Sequence, residues 1–154
     1  MTSLSQTTGY AIMTMSCLDG PGGRPVRVSE VARCTGIPRS YLSKIVQNAA
    51  AKGLIKTKRG YKGGMLLMRP PEEITLWDIA EVLESPKWMG KCFLGFSSCL
   101  QICPVHDFWE EEKRRIEAEL RSKTLAEITR FRGCSPREME LAEGPMESPL
   151  GEER

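Results

Sequence analysis

The sequence predicts a mainly α-helical chain with a small β-wing: a winged helix-turn-helix domain followed by a long dimerisation helix. Three observations predict it. Two helical patterns meet at the short turn "TGIP", a basic Gly-rich hairpin follows them directly, and a long charged stretch with few apolar residues comes further on. The 154 residues divide into a winged domain over 1–85, a cysteine-rich loop over 86–104, a dimerisation helix region over 105–132 and a tail over 133–154. A chain of this length buries a real core without disulfide staples.

The first helix is expected within residues 4–19, carried by the apolar side chains of "GYAIMTMSCL". "DGPGGRP" then breaks it, because Gly and Pro dominate turns. Helix formation restarts at "VSEVARC", where Ser29 is placed to cap the new helix. In "TGIP", Gly36 suits a backbone position where a side chain would clash, and Pro38 suits the first turn of the next helix.

That helix, "RSYLSKIVQNAAAKG", sets Leu42, Ile45, Val46 and Ala49 on one buried face and ends at Gly53. Its outward residues Arg39, Ser40, Tyr41, Ser43, Lys44 and Gln47 are polar or basic, with no acid among them. Such a face suits phosphates, and the helix's N-terminal residues suit base edges in a major groove. A helical hairpin used for protein contacts would share the pattern.

The hairpin "LIKTKRGYKGGMLLM" favours the DNA reading, although a hairpin of this kind could also be purely structural. Leu54, Lys56 and Lys58 alternate with Ile55, Thr57 and Arg59 along its first strand. Lys58, Arg59 and Lys62 make a cationic wing able to reach a DNA backbone or a narrow minor groove. Charge agrees: residues 1–70 hold eleven Lys/Arg and two acids, a net of +9, whereas residues 71–154 net −7. A basic half joined to an acidic half marks a nucleic-acid reader with a second function.

"RPPEEITLWDIAEVLESP" ends the wing at Pro-Pro and starts a helix with Thr75 as cap and Asp78 three residues on. Leu76, Ile79, Ala80 and Leu83 form its expected buried stripe. From Pro104 to about Lys123 a long helix should open with Pro at its first position and place Val105, Trp109, Ile116 and Leu120 near one face. Glu110–Arg114, Glu111–Arg115, Glu117–Arg121 and Glu119–Lys123 are i,i+4 pairs with Glu first. This helix suits pairing with its copy in a homodimer, or packing on its own domain. "TLAEITRF" reads as a short last helix, and from Gly133 onward Gly, Pro and Glu argue against order.

Between these helices lies "KCFLGFSSCLQICPVHDFW", with half of the six cysteines and the only histidine. Cys92, Cys99 and Cys103 are spaced C-x6-C-x3-C, and His106 follows by three. A helix opening at Pro104 would put Cys103 near its cap, where the helix field favours a thiolate. Three thiolates and an imidazole satisfy a tetrahedral zinc site or an iron–sulfur cluster. A loop of free cysteines, with His106 as a capping residue, is the plainer alternative. Cys17 and Cys34 read as small buried hydrophobes, and Cys134 as uncommitted.

The chain lacks a long apolar run and a signal-peptide pattern, so a cytoplasmic protein that keeps its thiols reduced is expected. No membrane contact, small-molecule substrate or enzyme activity is expected. A Cys–His pair without an orienting residue makes a poor catalytic centre.

Taken together, "VSEVARCTGIPRSYLSKIVQNAAAKGLI", the wing "RGYKGGMLL" followed by "RPP", and three cysteines before "HDFW" resemble the Rrf2-type family of winged-helix transcriptional regulators. The likeness spans roughly residues 1–130 and is nearest to the members that carry iron–sulfur clusters. It implies a homodimer on double-stranded operator DNA that senses iron–sulfur, redox or nitric oxide status. It also implies Cys92, Cys99, Cys103 and His106 as ligands of a cluster, [2Fe–2S] in preference to [4Fe–4S]. Its DNA contacts would centre on Ser40, Tyr41, Ser43, Lys44 and Arg59. Relatives governed by a protein partner or a thiol switch, without a cluster, are the alternative.

Overall fold

The computed structural model describes residues 5–84, 89–90, 92–97 and 103–132. The expected tail and Cys99 lie outside them. The elements run α1 (Gln6–Met15), α2 (Val28–Thr35), α3 (Arg39–Ala51), β1 (Ile55–Lys58), β2 (Gly64–Leu67), a 3-10 turn (Pro71–Glu73), α4 (Leu76–Leu83), α5 (His106–Ser122) and α6 (Leu125–Arg132).

α1 is the centre of the packing. It touches α2, α3, α4 and α6, and Ala11 and Met15 are fully buried. Around them close Val31 of α2, Leu42 and Ile45 of α3, Leu67 of β2, Ile79 of α4 and Leu125 of α6. Burial of such side chains contributes about 1.5–3 kcal/mol each. α1 is shorter than expected: Ser16 caps it, and Cys17 and Leu18 continue as a buried turn.

α2 starts differently from the expectation. Ser29 lies inside the helix and does not cap it; Glu30 reaches back and accepts the Arg27 amide at 2.7 Å. A carboxylate in the first turn also suits the helix field. Gly36 ends α2 in the left-handed conformation, φ 73°, and its amide donates to Ala32 O at 2.9 Å. Thr35 Oγ1 then accepts the Ile37 amide at 3.2 Å, which sets the turn into α3. Pro38 precedes α3 as its N-cap and is not in its first turn. Leu42, Ile45, Val46 and Ala49 are all buried, as their spacing predicts.

β1 and β2 pair antiparallel with Ile55 opposite Leu67 and Lys58 opposite Gly64. The alternation expected in the first strand is not kept: Leu54 and Ile55 are both buried, while Lys56 to Arg59 are exposed. Val26 bridges to Met65 from the other side. The backbones come so close there that a Cβ on Gly64 would stand 2.7 Å from Val26 O. The wing is thus fastened to the segment that leads into α2.

Thr75 and Asp78 form the expected capping box, with the Thr75 amide donating to Asp78 at 2.9 Å and the Asp78 amide to Thr75 Oγ1 at 3.1 Å. Ile79 and Ala80 are buried as predicted, but Leu76 and Leu83 only partly; Trp77 is the additional inward residue. α5 begins at His106, so Pro104 stands in the preceding turn and not at the first helical position. Of the predicted ion pairs Glu117–Arg121 forms at 2.8 Å; Glu110 and Glu111 instead pair one residue closer, with Lys113 and Arg114, and Glu112 pairs likewise with Arg115. Thr75 and Thr124 bridge, with Leu76 N donating to Lys123 O at 2.9 Å and Leu125 N to Ile74 O at 2.8 Å. The end of α5 is therefore stitched to the start of α4. No helix among the described residues is long and apolar enough to cross a membrane.

Candidate nucleic-acid interface and cysteine site

α3 presents Arg39, Ser40, Ser43, Lys44 and Gln47 to solvent. Ser43 Oγ donates to Arg39 O at 2.9 Å, so its hydroxyl proton is engaged and its lone pairs face outward. Tyr41 stands apart from this set. It is half-buried, its ring meets Tyr10 edge-on at 5.3 Å, and its hydroxyl lies 3.3 Å from Thr7 Oγ1. Lys58, Arg59 and Lys62 are exposed along the wing.

Arg24, Arg27 and Arg33 belong to the same basic side of the molecule and were not singled out by sequence reasoning. With Ser29, Glu30, Tyr61 and Lys62 they line a cleft of about 620 Å³ between α2 and the wing. Arg27 Nη2 donates to Tyr61 O at 3.1 Å across it. Arg24 pairs with Glu30 at 2.9 Å. Burial raises the Glu30 pKa, but the Arg27 amide and the Arg24 guanidinium outweigh it and hold the carboxyl below its ordinary range. The spacing of three arginines around a helix start was the available signal; their convergence with a hairpin more than thirty residues away was not.

The cysteine region divides into two parts. Cys92 is buried, and its carbonyl accepts the Gly95 amide at 3.0 Å in a tight turn. Phe93, next to it, meets Phe108 edge-on at 6.1 Å and Trp109 at 5.7 Å. Trp109 is buried, and its indole N–H donates to Gly90 O at 3.4 Å. These contacts clamp the segment around Cys92 to the first turn of α5. At that same end, the His106 amide donates to Cys103 O at 3.0 Å, so Cys103 and His106 share one turn. Because α5 starts at His106, Cys103 precedes the helix by a turn and is not its cap, contrary to the expectation from Pro104.

Soft thiolates with one imidazole suit iron in a cluster. Among the described residues, however, no three His, Cys, Asp or Glu side chains already form a metal-holding group. Cys99, the fourth donor expected, lies outside them. The donor chemistry fits, and two of the four candidates share a turn.

The other cysteines differ from one another. Cys17 is fully buried, and burial pushes its pKa up to about 11 against the opposing effects of Arg132 and Ser16. It is an inert core thiol, as expected. Cys34 is also buried but is disulfide-bonded, which corrects its reading as a plain small hydrophobe. Cys17, Cys92 and Cys103 take no part in a disulfide.

A helix-turn-helix with a basic wing fastened to its first helix defines a DNA-binding transcriptional regulator. Sequence comparison makes the class specific: residues 4–130 match the Rrf2 family model, described as iron-dependent transcriptional regulators, and the chain belongs to that family. A relative from Aquifex aeolicus (strain VF5), described as an HTH-type transcriptional regulator, is 30% identical over 128 residues, which cover 80% of this chain and 89% of the relative. The solved structure of T. potens IscR is 28% identical with a TM-score of 0.66, over 84% of this chain and 87% of that one. CymR, described as the global cysteine regulator of B. subtilis, shares the fold with a TM-score of 0.67 at 24% identity, over 85% of this chain and 98% of that one. The relatives and fold neighbours are regulators, and the protein is not an enzyme.

Proposed function

We propose that the chain is a cytoplasmic homodimeric regulator whose affinity for operator DNA is set by an iron–sulfur cluster, [2Fe–2S] in preference to [4Fe–4S]. Cys92, Cys99, Cys103 and His106 hold the cluster. The observation that carries this is the aromatic clamp: Phe93 on Phe108 and Trp109 keeps Cys92 at the end of α5 where Cys103 and His106 sit. When bound, the cluster would supply a redox-sensitive charge and a cross-link between loop and helix. Arg39, Ser40, Ser43, Lys44 and Gln47 face the major groove from α3; Lys58, Arg59 and Lys62 reach the backbone from the wing; Tyr41 orients α3 through Tyr10 and Thr7. α5 pairs with its copy, so a shift at its cysteine end changes the spacing of two recognition helices, which must match half-sites about one DNA turn apart.

The test is anaerobic purification followed by a visible spectrum and counts of iron and sulfide per chain. About two of each, lost in Cys92→Ala, is the expected result. About four of each would replace the cluster type. A colourless, iron-free protein after reconstitution would end the cluster reading.

The Cys34 disulfide favours a second reading, a cluster-free regulator controlled by thiol redox state or by a protein partner. It predicts operator binding that responds to reductant in a colourless protein.

A further inference from the structure

The cleft between α2 and the wing collects more positive charge than the fold requires. Arg24, Arg27, Arg33 and Lys62 line it together with Glu30, the one carboxylate among its described lining residues. That carboxylate is already engaged by Arg24 at 2.9 Å and by the Arg27 amide at 2.7 Å. Among the described lining residues cations thus outnumber carboxylates, a field that favours a further anion. Guanidinium forks match phosphate oxygens in pairs, which makes a phosphate the fitting anion.

Its position says which phosphate. One wall is the first helix of the helix-turn-helix, the element that crosses the DNA backbone when the second helix enters the groove. The other wall is the wing tip at Tyr61, Lys62 and Gly63. Arg27 ties the walls together through Tyr61 O, and the Val26–Met65 bridge fixes the base of the wing beside them. Tyr61, Lys62, Arg27 and Arg33 are exposed, so the cleft opens to a long ligand.

We propose that the α2–wing cleft holds operator backbone phosphates outside the base pairs read by α3, with Arg33 and Arg24 as contacts and Arg27 as the positioning residue that sets the wing. This rests on the DNA-binding reading above and extends the footprint beyond it.

The test uses the full-length protein and a duplex that it selects from a random pool, in long and flank-trimmed forms. Affinity is measured against salt for wild type, Arg33→Gln, the Arg24→Gln/Arg33→Gln double variant and Arg33→Lys, with melting curves to verify folding. Each lost phosphate contact should lower the log–log salt slope by about 0.9, so the double variant loses about two. Wild type should bind the long duplex more tightly than the trimmed one; the double variant should not distinguish them, and Arg33→Lys should behave like wild type. Unchanged slopes and flank dependence in folded variants, beside weakened Lys44→Ala and Arg59→Ala proteins, would overturn the cleft and leave the DNA reading standing. Unweakened Lys44→Ala and Arg59→Ala proteins would overturn both. Calorimetry with inorganic pyrophosphate at constant ionic strength separates the sources of phosphate: saturable binding lost in Arg33→Gln, without an effect on DNA, would assign the cleft to a free anion and overturn the proposal.

Discussion

The guanidinium of Arg121 lies 4.8 Å from the centre of the Trp77 ring. This contact joins the last turn of α5 to the first turn of α4, and Glu117 steadies Arg121 from one turn back. A cation over an indole contributes about 0.5–1 kcal/mol at a partly exposed site. Arg121→Ala should lower stability by about that amount, and Arg121→Lys by less. Chemical denaturation read by tryptophan fluorescence would check both.

Lys44 and Arg59 sample the two halves of the proposed DNA interface. Each alanine variant should weaken operator binding at every sequence and reduce the salt slope by about one. Binding titrations at several salt concentrations would decide it, and unchanged affinity in both would remove the interface.

Phe93 holds the cysteine loop without being a ligand. Edge-to-face aromatic pairs contribute about 0.5–1.5 kcal/mol each. Phe93→Ala should therefore lower iron retained per chain after gel filtration while leaving operator affinity of the metal-free protein unchanged. Full iron retention would show that the clamp does not support the ligands.

Asp78 sets an acid limit on stability. Burial raises its pKa, yet the Thr75 hydrogen bonds and Arg69 outweigh it and hold the carboxyl below its ordinary value of 3.8. A lowered folded pKa means stability that is present above the unfolded pKa and lost as pH falls through the folded one. Asp78→Asn should cost about 1 kcal/mol at neutral pH through the weakened cap. It should also flatten the loss below about pH 4. Melting curves from pH 2 to 7 would show both effects.

Cys34 should resist alkylation until reductant is added, and peptide mapping should join it to Cys99 or Cys134. Reduction should cost about 2–4 kcal/mol. A Cys34–Cys99 link would withdraw one ligand from the proposed cluster; immediate alkylation of Cys34 would exclude the bond from the purified protein.

Local signals were the legible ones. The buried face of α3, the turn at Gly36, the wing and the Thr75–Asp78 box each depend on residues within a few positions of one another. Trp77 was missed because α4 is covered from more than one side, by α1 and by α5, so a single-stripe reading understates its inward residues. Ser29 looks like a cap, but Glu30 serves the Arg27 amide and the cap falls two residues earlier, at Arg27. The basic cleft could not be read because Arg27 and Tyr61 meet only when the wing folds back. The cysteine spacing offers candidate donors, whereas the aromatic contacts that hold the Cys92 segment against α5 arise from side chains on two separate segments.

The Thr75–Thr124 stitch gives α5 a pivot. Its 17 residues make a rod of about 25 Å at 1.5 Å per residue. A tilt of about ten degrees at the stitched end sweeps the cysteine end through roughly 4 Å, the lever arm following from that rise per residue. Run backwards, a displacement of about 4 Å at the cysteine end arrives at α4 as a rotation of about ten degrees, geared down in travel and up in force.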